Sequence, residues 1–393
     1  MKRITIPAIG AITILSTVLP AAQRPVKVFL LVGQSNMEGK GQSGHIDYIL
    51  NDPNTPEKDK TLFRRLVKDG KHVARDDVWI WHLGKIGNLT VGFGKATEKN
   101  GKPFGPELGL GHVLGDYYDE QVLLIKCAWG GKSLRRAFRP PSYPPSKAEL
   151  EAAIEKTRRK DPGTTKESIR GSFGEYYQKT IANTREVLAN LKSLFPGYKD
   201  QGYELVGMFW FQGWNDLIQG GNPEYGEQLA SLIRDIRKDL KAPNLLVVIG
   251  ESGQGGPITE DKKGSGMDIV RQGQAAPAKM PEFKGTVAFA QTHQFYDPSL
   301  KEYVELYNRC AGEMRKAKRK LAQRHDGGKG AKKAKKTDIP REVRDKIWMP
   351  WEAAKQQWLN VGSDQSYHFY GSGKIFYQMG NLFGKEMVQL LKK

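Results

Sequence analysis

Five short apolar runs, bounded by glycine or polar residues, recur along the chain. Runs of this length without polar alternation are typical of strands that are buried on both faces of a parallel sheet. Segments with apolar residues at helical spacing lie between them. This alternation predicts a doubly wound α/β fold around one mainly parallel sheet of five strands. The predicted strands are VKVFLLV (26–32), VLLIKCA (122–128), LVGMFWF (205–211), NLLVVIG (244–250) and GTVAFAQ (285–291).

The helical segments each show one apolar face. In one of them, Leu229, Leu232 and Ile236 recur at helical spacing, and Pro223 suits the first turn. The predicted helices are 105–118, 176–194, 223–240 and 373–391.

Two long stretches, 40–105 and 137–172, fit neither pattern and are rich in glycine, proline and charged residues. Long loops of an α/β protein usually shape a binding site at the face where the strands end. We therefore predict that both are loop insertions within a single domain over residues 24–393.

The first 23 residues have the composition of a secretory signal peptide. A charged start, MKR, precedes the apolar stretch ITIPAIGAITILSTVLP, and the small residues of AAQ follow. An uncleaved membrane anchor is the competing interpretation, but two prolines and the short length favour cleavage. The sequence predicts a secreted or periplasmic protein that does not contact a membrane after cleavage.

The two cysteines, Cys127 and Cys310, are too few to form a disulfide framework in a chain of 393 residues. Cys127 is expected to be buried and free because it lies within a predicted strand. No group of cysteines and histidines has the spacing of zinc ligands, so we expect neither a metal nor another cofactor.

The positive charge is concentrated in one segment. The chain carries 62 basic and 43 acidic residues, a net charge of +19. Arg315–Lys336 alone holds eleven Lys or Arg and one Asp, and its low-complexity tail cannot build a core. We predict a solvated basic loop over 315–338. A surface for polyanions, such as acidic glycans, is the competing interpretation; no nucleic-acid motif is present, so a nucleic-acid partner is not expected.

Polar residues and glycines follow four of the five predicted strands. The sequences are GQSN (33–36), WGGKS (129–133), QGWND (212–216) and ESGQGG (251–256). The carboxyl ends of parallel strands meet at one edge of a sheet, so these segments can share a pocket. Acyl transfer needs a nucleophile, a base, a group that orients the base, and donors for the oxyanion.

Ser35 is the candidate nucleophile, although Ser35 and Asn36 could instead only cap the next helix. The backbone N–H groups of Ser35 and Gly131 are candidate oxyanion donors, since glycine lets the chain approach closely. A side-chain amide from the third segment, Asn215 or Gln212, could supply another donor.

Histidine is the expected base, and the chain has seven. His368 stands out in SDQSYHFYGSG, because Asp364 four residues upstream could hold its imidazole in one tautomer. His293, which follows a predicted strand in QTHQF, is the main competitor.

Taken together, GQSNM, CAWGGKS, WFQGWND and the C-terminal Asp/His segment resemble the SGNH hydrolases, and among them the sialate O-acetylesterase and acetylxylan esterase-like carbohydrate esterases. The resemblance implies a flavodoxin-like, three-layer α/β/α sandwich. It also implies Ser35 as nucleophile, a glycine of the Gly130–Gly131 pair and the third block as oxyanion donors, and His368 as base.

Two positions depart from the family pattern. Many SGNH enzymes place the acid three residues before the histidine, whereas Asp364 lies four residues before His368. The esterase branch usually reads W-x-Q-G-E, and Trp214 stands here in place of the glutamate. Asn215 fits the general G-x-N-D block of the superfamily, and Asp216 is either a reserve acid or, as we favour, a helix cap.

These observations predict a secreted serine esterase that removes O-acetyl groups from carbohydrates through an acyl-enzyme at Ser35. Its partner would be an acetylated oligo- or polysaccharide, with acidic glycans as one option. Gln34, Gly130, Trp129 and Trp214 are candidates for substrate contact, the two tryptophans as a platform for sugar rings. The alternatives are a catalytically inactive carbohydrate-binding relative and a polyanion-binding protein that uses the basic loop.

Overall fold

The protein's structure is a computed structural model that describes residues 24–218, 220–326 and 335–393. Its strands are β1 Val26–Gly33, β2 Gly41–Gln42, β3 Val67–Lys68, β4 Lys71–His72, β5 Arg75–His82, β6 Lys85–Leu89, β7 Pro103–Phe104, β8 Val122–Ala128, β9 Tyr203–Phe211, β10 Leu246–Gly250 and β11 Val287–Ala290. Its α-helices are α1 Ser35–Glu38, α2 Gly44–Asn51, α3 Glu57–Arg64, α4 Pro106–Tyr117, α5 Lys147–Arg158, α6 Lys166–Gly171, α7 Glu175–Ala189, α8 Leu191–Leu194, α9 Trp214–Leu217, α10 Tyr225–Asp239, α11 Gly266–Ala275, α12 Ser299–Asp326, α13 Arg341–Val361 and α14 Gly373–Leu391.

The main sheet has seven strands in the order β11-β10-β9-β1-β8-β5-β6. All neighbours run parallel except the edge pair β5 and β6. The central strand β1 lies between β8 and β9, and its last residue, Gly33, is level with Ala128 and Phe211. The chain changes direction across the sheet at this strand, which is where open α/β sheets form their binding crevices.

The predicted sheet of five strands is wrong by two strands, although all five predicted strands exist. The additional strands, β5 and β6, come from the stretch 40–105, which also contains α2 and α3. They escaped the sequence pattern because β5 is apolar only in its second half and β6 is a largely exposed edge strand. The stretch 137–172 likewise contains α5, which begins at a Ser146 capping box with Glu149, and α6. The prediction that neither stretch contains regular elements is therefore wrong.

The two faces of the sheet are covered by separate layers, so the predicted three-layer α/β/α sandwich is confirmed. Phe29 and Leu31 of β1 belong to the core beneath α4 and α14, whereas Val28 and Leu30 belong to the core beneath α7 and α10. The backbones of α4 and α14 approach closely at Gly380, where a Cβ would lie 2.1 Å from the Pro106 carbonyl oxygen. This packing fixes the last helix against the sheet.

Three further predictions concern single segments. Cys127 and Cys310 are both buried and free, as predicted for Cys127. The predicted basic loop 315–338 is wrong in its first part, because α12 continues to Asp326; residues 327–334 lie outside the described residues. The predicted signal peptide, residues 1–23, also lies outside them.

Within the described ranges, no helix is both long enough and apolar enough to cross a membrane.

Candidate active site

Ser35 lies at the end of the central strand and is the first residue of α1. The chain turns sharply there: a Cβ on Gly33 would lie 2.2 Å from the Phe211 carbonyl oxygen, so only glycine fits. Ser35 is 7% exposed. Its backbone N–H has no hydrogen-bond acceptor among the described residues, which leaves this group free for an oxyanion.

The turn after β8 lies against the serine. A Cβ on Gly130 would be 3.7 Å from the Ser35 Cβ and 3.1 Å from Oε2 of the buried Glu38. Gly131 has a φ of +74°, a conformation that favours glycine. The Asn215 side chain donates a hydrogen bond to the Gly131 carbonyl oxygen at 3.0 Å. The structure thus brings Ser35, Gly131 and Asn215 together.

Two buried glutamine side chains hold Asn215 in place. Gln34 accepts hydrogen bonds from the Gln212 amide at 3.1 Å and the Asn215 backbone at 3.3 Å, and it donates to Asn215 Oδ1 at 3.1 Å. The Gln212 amide also reaches the Lys132 carbonyl oxygen at 3.0 Å and an Asp216 carboxylate oxygen at 2.8 Å. Because Gln34 and Gln212 are each 1% exposed, both lie behind Asn215 rather than facing a substrate.

Asp216 neither caps a helix nor contacts a histidine, although the sequence suggested a cap or a reserve acid. It is fully buried and accepts hydrogen bonds from the backbone N–H groups of Leu134 and Arg135, at 2.8 and 3.0 Å, and from the amides of Gln212 and Asn222. Burial raises the pKa of its carboxyl group although these donors oppose the shift. Asp216 therefore joins the segment after β8 to the segment after β9.

The predicted histidine–aspartate pair is present. The distance between His368 Nδ1 and Asp364 Oδ2 is 3.0 Å, although the approach lacks the alignment of a good hydrogen bond. Burial opposes ionisation of Asp364, but the interaction with His368 outweighs it and lowers the pKa of the carboxyl group. Asp364 is therefore ionised near neutral pH.

The backbone immediately after His368 is strained. Phe369 and Tyr370 have φ angles of +47° and +59°, both in the left-handed region, and both side chains are buried. Such conformations cost on the order of 1 kcal/mol or more for residues other than glycine. Hydrogen bonds from the N–H groups of Ser363 and Asp364 to the Tyr370 carbonyl oxygen close the loop. The strained turn therefore holds the loop that carries His368 in one conformation, which orients the His368 side chain.

A hydrogen bond connects the histidine loop to the serine turn. The Asn36 side chain donates to the Tyr367 carbonyl oxygen at 3.1 Å, and Gln254, after β10, donates to the same oxygen at 3.3 Å. Residues next to Ser35 and next to His368 are thus in direct contact. The sequence analysis did not predict that Asn36 and Gln254 would bind the histidine loop. Their position just after predicted strands was the one feature of the sequence that pointed to a place at the site.

His293, the competing base, forms a pair of its own. Glu251 Oε2 lies 2.7 Å from His293 Nδ1 and accepts the His293 backbone N–H at 3.0 Å. Arg271 approaches the other carboxylate oxygen at 3.6 Å. Among the described residues, no hydrogen bond joins this pair to Ser35 or Asn36.

The two tryptophans predicted to form a sugar platform have different surroundings. Trp129 is half-buried, with its ring edge against Tyr176 at a centroid distance of 5.1 Å, so it packs onto α7. Trp214 is half-buried and stacks on the ring of Tyr367, with centroids 5.4 Å apart and planes 30° apart. Trp214 also lines a groove of about 330 Å³ together with Gln254 and Ser366. Of these two tryptophans, Trp214 is the one that borders an open groove.

Within the described ranges, no group of three or more His, Cys, Asp or Glu side chains could hold a metal ion.

A model of the family described as "Carbohydrate esterase, sialic acid-specific acetylesterase" matches residues 25–297. The chain belongs to this family. The matched region contains Ser35, Gly131, Asn215 and His293, and it ends before Asp364 and His368. Membership makes the protein a carbohydrate esterase. It confirms the resemblance to the carbohydrate esterase branch that the sequence motifs indicated.

Three solved structures resemble the chain at low sequence identity. A protein of Arabidopsis thaliana has 17% identity over 68% of this chain and 86% of its own, with a TM-score of 0.38. XAC1771, a carbohydrate acetylesterase of Xanthomonas citri, has 16% identity over 67% and 49%, with a TM-score of 0.36. NanS has 14% identity over 68% and 78%, with a TM-score of 0.36. Such low scores carry no functional argument. No curated protein matches the chain.

Proposed function

We propose that the protein is an exported serine esterase that removes O-acetyl groups from carbohydrates through an acyl-enzyme at Ser35. Membership of the carbohydrate esterase family supports the class of reaction. The hydrogen bond from Asn36 to the Tyr367 carbonyl oxygen carries the assignment of the base, because it joins the residue after Ser35 to the residue before His368.

In this mechanism His368 removes the Ser35 proton while the ionised Asp364 stabilises the resulting imidazolium. The Ser35 oxygen attacks the acetyl carbonyl carbon. The oxyanion accepts hydrogen bonds from the backbone N–H groups of Ser35 and Gly131 and from the Asn215 amide. His368 then protonates the departing sugar hydroxyl, and water activated by the same ring releases acetate from the serine.

Asn215, rather than Gln212, is the proposed amide donor. The Asn215 amide is half-buried and uses one hydrogen on the Gly131 carbonyl oxygen, so its second hydrogen remains available. The Gln212 amide has three acceptors around it, Gln34, Lys132 and Asp216, and it is buried. Gln212 and Gln34 are positioning residues in this scheme.

Hydrolysis of p-nitrophenyl acetate tests the nucleophile. Ser35→Ala should reduce turnover to background, a loss on the order of 10³-fold or more. Ser231→Ala is the matched control, since Ser231 on α10 is equally buried at 7% exposed and lies on the opposite layer. Equal rates for wild type and Ser35→Ala would favour an inactive carbohydrate-binding relative instead.

Acetate release from acetylated xylans, sialosides and algal glycans then tests the substrate class. The proposal requires Ser35-dependent release from at least one of them. Export is tested separately by the amino-terminal residue of the protein recovered outside the cytoplasm, which should lie close to residue 24; a retained Met1 would exclude cleavage.

A further inference from the structure

A helical hairpin formed by α12 and α13 follows the region that matches the family model. It spans residues 299–361 and packs on the sheet layer of α2 and α14 through Trp351 and Trp358. The Asn100 amide anchors it by donating to the Leu359 carbonyl oxygen at 2.7 Å. Residues 299–361 contain 17 Lys or Arg and 8 Asp or Glu, so they carry about half of the net charge of +19.

A groove of about 800 Å³ is lined by one face of α13 and by Tyr307 of α12. Three aromatic rings line it beside five charged residues. The ring of Tyr307 lies 5.5 Å from Trp348 and 5.1 Å from Trp351, measured between centroids. Met349 lines the same groove and is 65% exposed. This is a large apolar surface on a strongly cationic element.

Both acidic residues of this groove form ion pairs, whereas two of its basic residues do not in the part of the chain that the structure describes. Asp345 forms an ion pair with Arg341, and Glu352 forms one with Lys355. Arg344 and Lys346 have no ion-pair partner among the described residues, and Arg344 Nε is buried without a hydrogen-bond partner there. The groove therefore presents unneutralised cationic donors beside aromatic rings, a combination that fits an anion on an amphipathic ring.

This groove shares lining residues with a cavity beside the candidate active site. Tyr307 and Trp351 also line a smaller cavity that includes Lys99, Asp364 and Gln365. Val304 of α12 lines both that cavity and the groove beside Trp214 and Gln254. Adjacent cavities thus share walls from the hairpin to the loop that carries His368.

We propose that these adjacent cavities bind an anionic glycan chain, with the hairpin groove holding a uronate or sulfated sugar of the same polymer whose acetyl ester lies at Ser35. The proposal rests on the proposed esterase function, since Asp364 and Trp214 of the candidate active site line two of these cavities. A glycan is favoured over a nucleic acid because the adjacent cavities lie beside the candidate site of a carbohydrate esterase.

The test compares an anionic and a neutral polymer. The double variant Arg344→Gln/Lys346→Gln should raise KM for O-acetylated polygalacturonate on the order of 100-fold with kcat little changed, because each of the two charge-assisted hydrogen bonds that it removes contributes about tenfold in affinity. KM for O-acetylated glucomannan and turnover of p-nitrophenyl acetate should stay within about twofold, as expected for surface substitutions away from the reacting atoms. Lys179→Gln/Lys192→Gln, on the opposite layer, removes the same charge and should change none of these values.

An unchanged KM in the groove variant, or an equal rise in the control variant, would overturn the proposal while leaving the esterase intact. If wild type hydrolyses none of the esters, the esterase function fails. Quenching of tryptophan fluorescence by deacetylated polygalacturonate then still tests the groove. Equally tight binding of duplex DNA through Arg344 and Lys346 would assign a general polyanion surface and refute a glycan site.

Discussion

Two histidine–carboxylate pairs lie at the carboxyl edge of the same sheet, and the better-formed pair is not the proposed catalytic one. Glu251 is buried and holds both the ring and the backbone N–H of His293, with a ring distance of 2.7 Å. Asp364 and His368 are 3.0 Å apart on a strained loop. The Glu251–His293 pair also lies inside the region matched by the family model, whereas the other pair lies beyond it.

The two pairs differ in their connection to Ser35, the proposed nucleophile. The backbone next to His368 accepts the Asn36 side chain, and Asn36 follows Ser35 directly. The His293 pair instead contacts Arg271 and the backbone of its own loop. A histidine beside a carboxylate is therefore a weak indicator of a base; its hydrogen-bonded connection to the serine turn is the stronger one.

The largest expected effect comes from exchanging the two histidines for alanine. His368→Ala should lower kcat for p-nitrophenyl acetate on the order of 10³-fold, because no other group would accept the Ser35 proton. His293→Ala should lower it by less than about fivefold, as expected for a side chain that takes no part in proton transfer. The reverse ranking would make His293 the base.

The carboxylates should differ in what they lose. Asp364→Asn should lower kcat on the order of 10²-fold or more, since the imidazolium loses its counter-ion. Glu251→Gln should leave kcat nearly unchanged and lower the melting temperature by a few degrees, because it leaves the buried Arg271 less well neutralised. Kinetics and thermal unfolding of both variants check this, and a catalytic loss in Glu251→Gln alone would contradict it.

The connection itself should have a moderate effect. Asn36→Ala should reduce kcat about tenfold with little change in KM, since it loosens the loop that carries His368 without removing a reacting group. Gln254→Ala, which removes the other donor to the Tyr367 carbonyl oxygen, serves as the matched comparison. If Asn36→Ala matches wild type, the hydrogen bond does not position the base.

A third histidine should affect only acid stability. Burial lowers the pKa of His45 to about 4, and its Nδ1 accepts the Gly373 N–H at 2.9 Å. As the pH falls below about 6.5, this histidine becomes protonated in the unfolded chain but stays neutral in the folded chain. The free energy of unfolding therefore falls by about 3 kcal/mol between pH 6.5 and 4. His45→Gln should reduce the slope of unfolding free energy against pH across this range, to which the buried His82 and His112 also contribute. An unchanged slope would contradict the prediction.

The sequence was sufficient for the central part of the fold. Strands that are buried on both faces leave continuous apolar runs, so β1, β8, β9, β10 and β11 were all predicted. β5 and β6 were not, because an edge position requires few apolar residues. The extent of α12 was also missed, since a run of lysines and arginines reads equally well as solvated loop or exposed helix.

For the candidate site, residue types were easier to predict than their roles. Ser35, Gly131 and Asn215 are brought together as the strand ends suggested. Gln34 and Gln212 could not be distinguished from substrate-facing amides, because burial depends on packing between distant segments. The left-handed Phe369 and Tyr370 had no sequence signal, since neither residue type favours that conformation.

The order of the segments has a consequence for synthesis. Ser35 directly follows the first strand, β1, whereas the loop of His368 and the last helix, α14, which packs against α4 at Gly380, come at the end of the chain. A chain that emerges amino end first thus exposes its hydroxyl long before the imidazole exists. If Ser35 and His368 act together as proposed, the polypeptide cannot hydrolyse esters until the His368 loop and α14 have folded against the sheet.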